Sequence, residues 1–109
     1  MRINIKPLSV NQAWKGRRFK TKKYDDYIKE VLLSLGPLDI PDGELFLSVT
    51  FGLSSKLSDI DNPLKCFIDC LQKKYNFDDR RIFKLNVEKK IVNKGDEFID
   101  FLIYNYIQS

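Results

Sequence analysis

The sequence predicts an α/β (mixed α+β) fold in which two helices cover a small mixed sheet of about four strands. Three observations carry that prediction. Leu45, Leu47, Val49, Phe51 and Leu53 alternate with Glu44, Ser48, Thr50 and Gly52, the period-two pattern of a strand with one buried face. Two segments, about 22–35 and 63–74, carry apolar residues at helical spacing instead. Two further runs, 82–92 and 98–107, read as strands. The predicted order is β-α-β-α-β-β, with the order of strands in the sheet left open. With 109 residues, 43% hydrophobic and 13% aromatic, the chain has one domain's worth of sequence, expected to span 1–109 and to bury a real core.

Each element has its own local reason. Arg2 to Lys6 alternates and is expected as a short strand, and Pro7 to Gly16 as a loop carrying Ser9, Asn11 and Gly16. Thr21 suits an N-cap for a helix through about Leu35, with Tyr24, Tyr27, Ile28, Val31, Leu32 and Leu35 as its apolar face. Gly36-Pro37 stops that helix, and Pro41-Asp42-Gly43 makes a turn before the central strand. A residue before proline avoids helical backbone, so Asn62 is expected as the N-cap of the second helix and Pro63 as its first residue. Its apolar stripe is Leu64, Phe67, Ile68 and Leu71, and Asn76 suits a left-handed cap beyond its end. Asn93-Lys94-Gly95 is expected to close a hairpin between the last two strands.

Composition narrows the chemistry. The sequence contains no histidine, which excludes Ser-His and Cys-His nucleophiles, His-ligated zinc and imidazole acid/base catalysis. Cys66 and Cys70 lie four apart in a predicted helix, so they are expected as packing residues in a reducing compartment rather than a disulfide or a zinc site. No run approaches the ~18 apolar residues of a membrane span, and the basic opening leads into no signal-peptide stretch, so a soluble cytoplasmic protein without membrane contact is expected. No organic cofactor motif is present.

Charge is segregated along the chain. Residues 1–24 hold eight basic side chains (Arg2, Lys6, Lys15, Arg17, Arg18, Lys20, Lys22 and Lys23) and no acidic one. Residues 25–79 hold eleven Asp/Glu against five Lys/Arg. A basic block of this kind suits a polyanion, since each neutralised phosphate releases counterions; it is also compatible with a solvated loop and a lysine-rich helix start.

The chemistry concentrates between residues 58 and 80. Asp59 and Asp61 precede the second helix and can face the same way if the segment stays extended. Lys65 and Asp69 lie one turn apart along one edge of the apolar stripe, and Asp78-Asp79 follow the helix. The helix spans only about 18 Å, so a strand running back along it can return Asp79 toward Asp59 and Asp61. Carboxylates gathered in this way repel one another unless a cation sits among them, and Mg²⁺ prefers oxygen ligands. Each residue also has an ordinary use: Asp59, Asp61 and Asn62 as helix caps, Asp78-Asp79 as a surface turn, Lys65 with Asp69 as a surface ion pair.

Taken together, D-x-D-N-x-x-K-x-x-x-D-x-L followed by Asp-Asp resembles the RusA-like Holliday junction resolvases, small phage and bacterial endonucleases. Residues 6–14, Lys-Pro-Leu-Ser-Val-Asn-Gln-Ala-Trp, resemble that family's opening, so the resemblance spans 6 to about 82. It implies a homodimer that binds four-way DNA junctions and nicks two strands symmetrically with Mg²⁺ or Mn²⁺. It also implies catalytic roles for Asp59, Asp61, Lys65 and Asp79, metal ligation by Asp59, Asp61 and Asp79, and secondary ligand roles for Asp78 and Asp69. The segment between Asp69 and Asp78 is one residue shorter than in some members, and Asn76 stands where glycine is common. The basic residues Lys15, Arg17, Arg18, Lys20, Lys22 and Lys23 are expected to hold phosphates, with Trp14 or Phe19 stacking on an exposed base or, for Trp14, packing in the core. Two other readings stand beside this one. The first is a nuclease of the same chemistry acting on flaps, forks or other branched DNA; the second is a nucleic-acid-binding module without catalysis.

Overall fold

In the computed structural model, residues 1–8, 14–15 and 19–107 are described, with backbone only for Trp14, Lys15, Phe19 and Lys20. Strand β1 (Arg2–Ile3) is followed by β2 (Trp14–Lys15), β3 (Phe19–Lys20) and helix α1 (Lys22–Ser34). Strand β4 (Leu45–Leu53), helix α2 (Leu64–Tyr75), a 3₁₀ turn (Asp79–Arg81), β5 (Ile82–Ile91) and β6 (Phe98–Asn105) complete the order. The expected mixed sheet forms from four strands in the order β1-β6-β4-β5. β4 runs parallel to β5 and antiparallel to β6, so β4, α2 and β5 make one βαβ unit.

The alternation in β4 works as the sequence predicts. Leu45, Leu47, Val49, Phe51 and Leu53 are buried, as are Ile99 and Phe101 of β6 on the same face. Against them pack Tyr24, Tyr27, Ile28 and Val31 of α1 and Cys66, Phe67, Cys70 and Leu71 of α2. Phe67 meets Phe51 and Phe101 edge-on, at 6.2 and 5.4 Å between ring centres. Cys66 and Cys70 are buried in the core, as expected, and burial pushes the Cys70 thiol up to about 12. Thr21 caps α1 by accepting from the Tyr24 N–H at 3.3 Å.

Four details differ from the sequence reading. The first strand is confined to Arg2–Ile3. Trp14–Lys15 and Phe19–Lys20, the first of which fell in a predicted loop, pair antiparallel as a short hairpin. Helix α2 starts one residue later than expected: its N-cap is Pro63, which has no side chain to cap with, and Asn62 turns its amide toward Asp59 instead. The fourth detail concerns β5 and β6, which form no hairpin; they flank β4, and residues 92–97 pass over its end. The reason lies in their faces. β5 turns Lys84, Asn86, Glu88 and Lys90 to one side, a composition suited to an edge, whereas β6 offers Ile99, Phe101 and Ile103 to the core.

On the face of the sheet away from the helices, Gly52 lies opposite Phe98. A β-carbon at Gly52 would overlap the Phe98 ring, over which the Arg2 guanidinium lies at 3.9 Å. Overpacking of a fixed ring is costly, so Gly52→Val should destabilise the protein by about 1–3 kcal/mol. A lowered urea midpoint at unchanged slope is the expected readout; an unchanged midpoint would mean that the ring yields freely.

Candidate active site

Asp59 and Asp61 stand on the connection from β4 to α2, residues 54–63. This segment is turned rather than extended. Leu57 N–H donates to Ser55 Oγ at 3.2 Å, and Leu64 N–H donates to the Asp61 carbonyl at 3.1 Å, closing the turn that opens the helix. The extended backbone that would have set the two aspartates on one side is not present, and they line different depressions. Asp59 lines a depression of about 300 Å³ with Lys6, Ser54, Ser55, Ser58 and Glu97. Asp61 lines a second, of about 200 Å³, with Leu64, Lys65, Ile68, Asp69 and Asp79.

That second depression collects most of the residues singled out from the sequence. Lys65 and Asp69 reach it from the first turns of α2. Asp79 reaches it because the chain reverses at Asn76, whose left-handed backbone (φ 53°, ψ 57°) ends the helix. Beyond the reversal the Asp79 N–H donates to Gln72 Oε1 at 2.9 Å, which holds Asp79 against the flank of α2. Lys65 and Asp69 form no ion pair, so the ordinary structural use for Lys65 is not realised. An ammonium on the first turn of a helix, where the macrodipole opposes it, lines the same depression as Asp61, Asp69 and Asp79.

Asp78 is engaged elsewhere. Its Oδ1 accepts from the Arg80 N–H at 2.9 Å and its Oδ2 from Arg80 Nε at 3.1 Å, capping the 3₁₀ turn. These bonds from Arg80 hold the Asp78 carboxyl below the usual carboxylate range. Sequence spacing could not separate Asp78 from Asp79; the 3₁₀ turn does.

Two residues that the sequence did not single out brace the 54–63 connection. Glu97 accepts from Ser54 Oγ at 3.1 Å and from the Gly95 N–H at 2.8 Å, and backbone N–H groups, its own first, hold its carboxyl low. Lys89, on β5, donates to the carbonyls of Ser58 at 2.8 Å and Lys56 at 3.3 Å. The available signal for Lys89 was a lysine in register with Leu85, Val87 and Ile91 on the face turned to the helices.

Of the expected DNA-binding residues, Lys22 and Lys23 are exposed on the first turn of α1. Arg17 and Arg18 lie outside the described residues, as do the side chains of Trp14, Lys15, Phe19 and Lys20. Among the described residues no three acidic or cysteine side chains stand close enough together to hold a metal ion. The donor set itself fits a hard divalent cation: carboxylate oxygens at the protein surface, with no thiolate or imidazole competing. No helix among the described residues is long and apolar enough to cross a membrane.

A family model described as endodeoxyribonuclease RusA matches residues 11–99, a span that holds Asp59, Asp61, Lys65, Asp69 and Asp79. No curated protein matches the chain.

The engagement of Asp78 is directly measurable. Its carboxyl should titrate below about 3.9, the ordinary aspartate value, and Arg80→Ala, which removes the side-chain bond but keeps the backbone N–H that contributes most, should raise it only part of the way back. Because the folded state holds the proton more weakly, the linked stability is present above the ordinary value and lost as pH falls through the depressed one. Side-chain carbonyl shifts followed by NMR give both numbers, and an Asp78 that titrates at the ordinary aspartate value in the wild-type protein would refute the assignment.

Proposed function

The chain belongs to the RusA endodeoxyribonuclease family, and from that premise we propose that it resolves four-way DNA junctions by paired, symmetric, metal-dependent nicks. The observation that carries this reading is the single depression shared by Asp61, Lys65, Asp69 and Asp79. Asp61 and Asp79 would hold Mg²⁺ or Mn²⁺; Asp59 lines the other depression and would complete the ligand set only on moving toward them. When bound, such an ion polarises the phosphoryl oxygen and acidifies the attacking water.

The protein's own side chains do the remainder. Lys65 is placed to offset charge on the phosphoryl group in flight and, in the metal-free protein, to relieve the repulsion among the carboxylates. Gln72 fixes the backbone of Asp79, and Asn62 donates to Asp59 Oδ2 at 3.4 Å, so two of the three acids have an orienting partner on or beside α2. Lys22 and Lys23, with the basic residues from Lys15 to Lys20, supply the sequence-independent attraction to DNA phosphates. Two symmetric cuts need two sites, which a two-fold homodimer provides. A reducing cytoplasm suits the two buried thiols.

A labelled synthetic four-way junction tests the proposal, with Mg²⁺ in one arm and EDTA in the other. Paired nicks that need the metal are expected, and flaps and linear duplex should compete poorly. Asp61→Asn and Asp79→Asn should each lower cleavage at least about a hundredfold while junction binding persists, because each removes a ligand charge and no DNA contact. Asp78→Asn should cleave near the wild-type rate. Cleavage by Asp61→Asn at that rate would overturn the site, and binding that ignores Mg²⁺ with no nicking of any substrate would favour a non-catalytic module.

A further inference from the structure

We infer that Lys89 is a positioning residue for the nuclease reaction, holding the 54–63 connection in the shape that presents Asp59 and Asp61; this rests on the site reading above. The inference starts from register. On β5, Leu85, Val87, Lys89 and Ile91 face the side of the sheet that the helices cover, paired with Leu47, Val49, Phe51 and Leu53 of β4. Three of the four β5 residues are apolar, with Leu85 and Ile91 nearly half exposed at this edge. The fourth carries an ammonium on a half-buried side chain, whose stem can lie on the apolar surface while its charged head needs polar partners.

What the ammonium meets explains its presence. Its Nζ donates to the Ser58 carbonyl at 2.8 Å and the Lys56 carbonyl at 3.3 Å. These carbonyls stand immediately before Asp59, in a stretch that belongs to no helix or strand. The bonds that the connection makes to itself are few and local, such as the Ser58 N–H to the Ser55 carbonyl at 3.4 Å. Glu97 fastens the near end of the connection at Ser54, and α2 fastens the far end at Leu64. Lys89 fastens the middle. Among the described residues its hydrogen bonds go to neither aspartate, so it acts on the reaction through the backbone that carries them. Backbone carbonyls cannot be protonated near neutral pH, so the brace does not depend on the ionisation of the acids it positions.

Lys89→Met removes both bonds and leaves an apolar side chain where its neighbours are apolar, and Lys89→Gln serves if the methionine variant does not fold. Lys89→Arg keeps a charged donor. With Lys89→Met we expect amide hydrogen exchange in residues 54–61 to speed up about tenfold while the strands keep their protection. We expect kcat for junction cleavage in Mg²⁺ to fall about 10- to 100-fold at nearly unchanged KM, the size of effect that small misplacement of reacting groups produces. Lys89→Arg should restore both. Unchanged exchange in 54–61 would overturn the inference, and so would faster exchange with wild-type kcat. Asp61→Asn run in parallel separates the two levels: it should lose cleavage with the connection still protected. If the wild-type protein cleaves no junction, the site reading itself falls, and the role of Lys89 falls with it.

Discussion

The parallel pairing of β4 with β5 is the constraint from which the rest of the molecule follows. A parallel pair cannot be closed by a tight turn, so the chain must travel back the full length of the strand before β5 can begin. β4 has nine residues, about 30 Å of extended chain, whereas the twelve residues of α2 rise only about 18 Å. The shortfall is made up at the two ends of the helix, by residues 54–63 before it and 76–81 after it. Asp59 and Asp61 occupy the first of these pieces and Asp79 the second. Topology thus creates two irregular segments at opposite ends of one helix. The reversal at Asn76 then lays the second against the helix flank, where Gln72 receives it.

Seen in this way, β5 is a strut with a cation near each end. Arg81, just before the strand, donates from Nε to the Gly43 carbonyl at 2.9 Å and from its terminal nitrogen to the Pro41 carbonyl, fixing the turn that enters β4. Lys89, near the other end, does the same for the chain that leaves β4. Both ends of the central strand are therefore held by side chains from its parallel neighbour. Neither clamp adds to the hydrophobic core, whose buried residues, among those described, are all apolar apart from tyrosine hydroxyls and the two thiols. The functional segments can stay polar and exposed because packing elsewhere supplies the stability.

Much of this was legible in the sequence, for reasons that differ by element. Leu45 to Leu53 could be read because burial of one face imposes strict alternation, and α1 because Thr21 and Gly36 mark its ends. Asn76 could be read because its short side chain tolerates positive φ. Strand order was harder: alternation reports a buried face and says nothing about neighbours, so Asn93-Lys94-Gly95 suggested a hairpin where the chain crosses β4. The charged outer face of β5 was the clue to its edge position. For the site, the D-x-D-N-x-x-K spacing identified the acids, but which way each faces depends on a turn closed by Leu64 N–H and the Asp61 carbonyl. Such turns, like the Arg80 bonds that separate Asp78 from Asp79, are set by side-chain partners that spacing does not encode.

The segregation of charge noted in the sequence takes on a physical meaning on this frame. A concentration of carboxylates repels DNA, and that repulsion falls off over about 10 Å at 0.1 M salt. A nuclease built on acids must therefore gain its affinity from cations placed beyond, or interleaved with, the acid site. The described residues show both arrangements. Lys65 sits among Asp61, Asp69 and Asp79, and Lys6 lines the depression of Asp59 and Glu97. Lys22 and Lys23 project from the first turn of α1, where the helix dipole adds to their positive potential. On the proposed function, long-range attraction and short-range chemistry would be carried by different parts of the chain. The salt dependence of binding and the metal dependence of cleavage should accordingly respond to different substitutions: neutralising Lys22 and Lys23 together should flatten the first by about two in slope and leave the second in place.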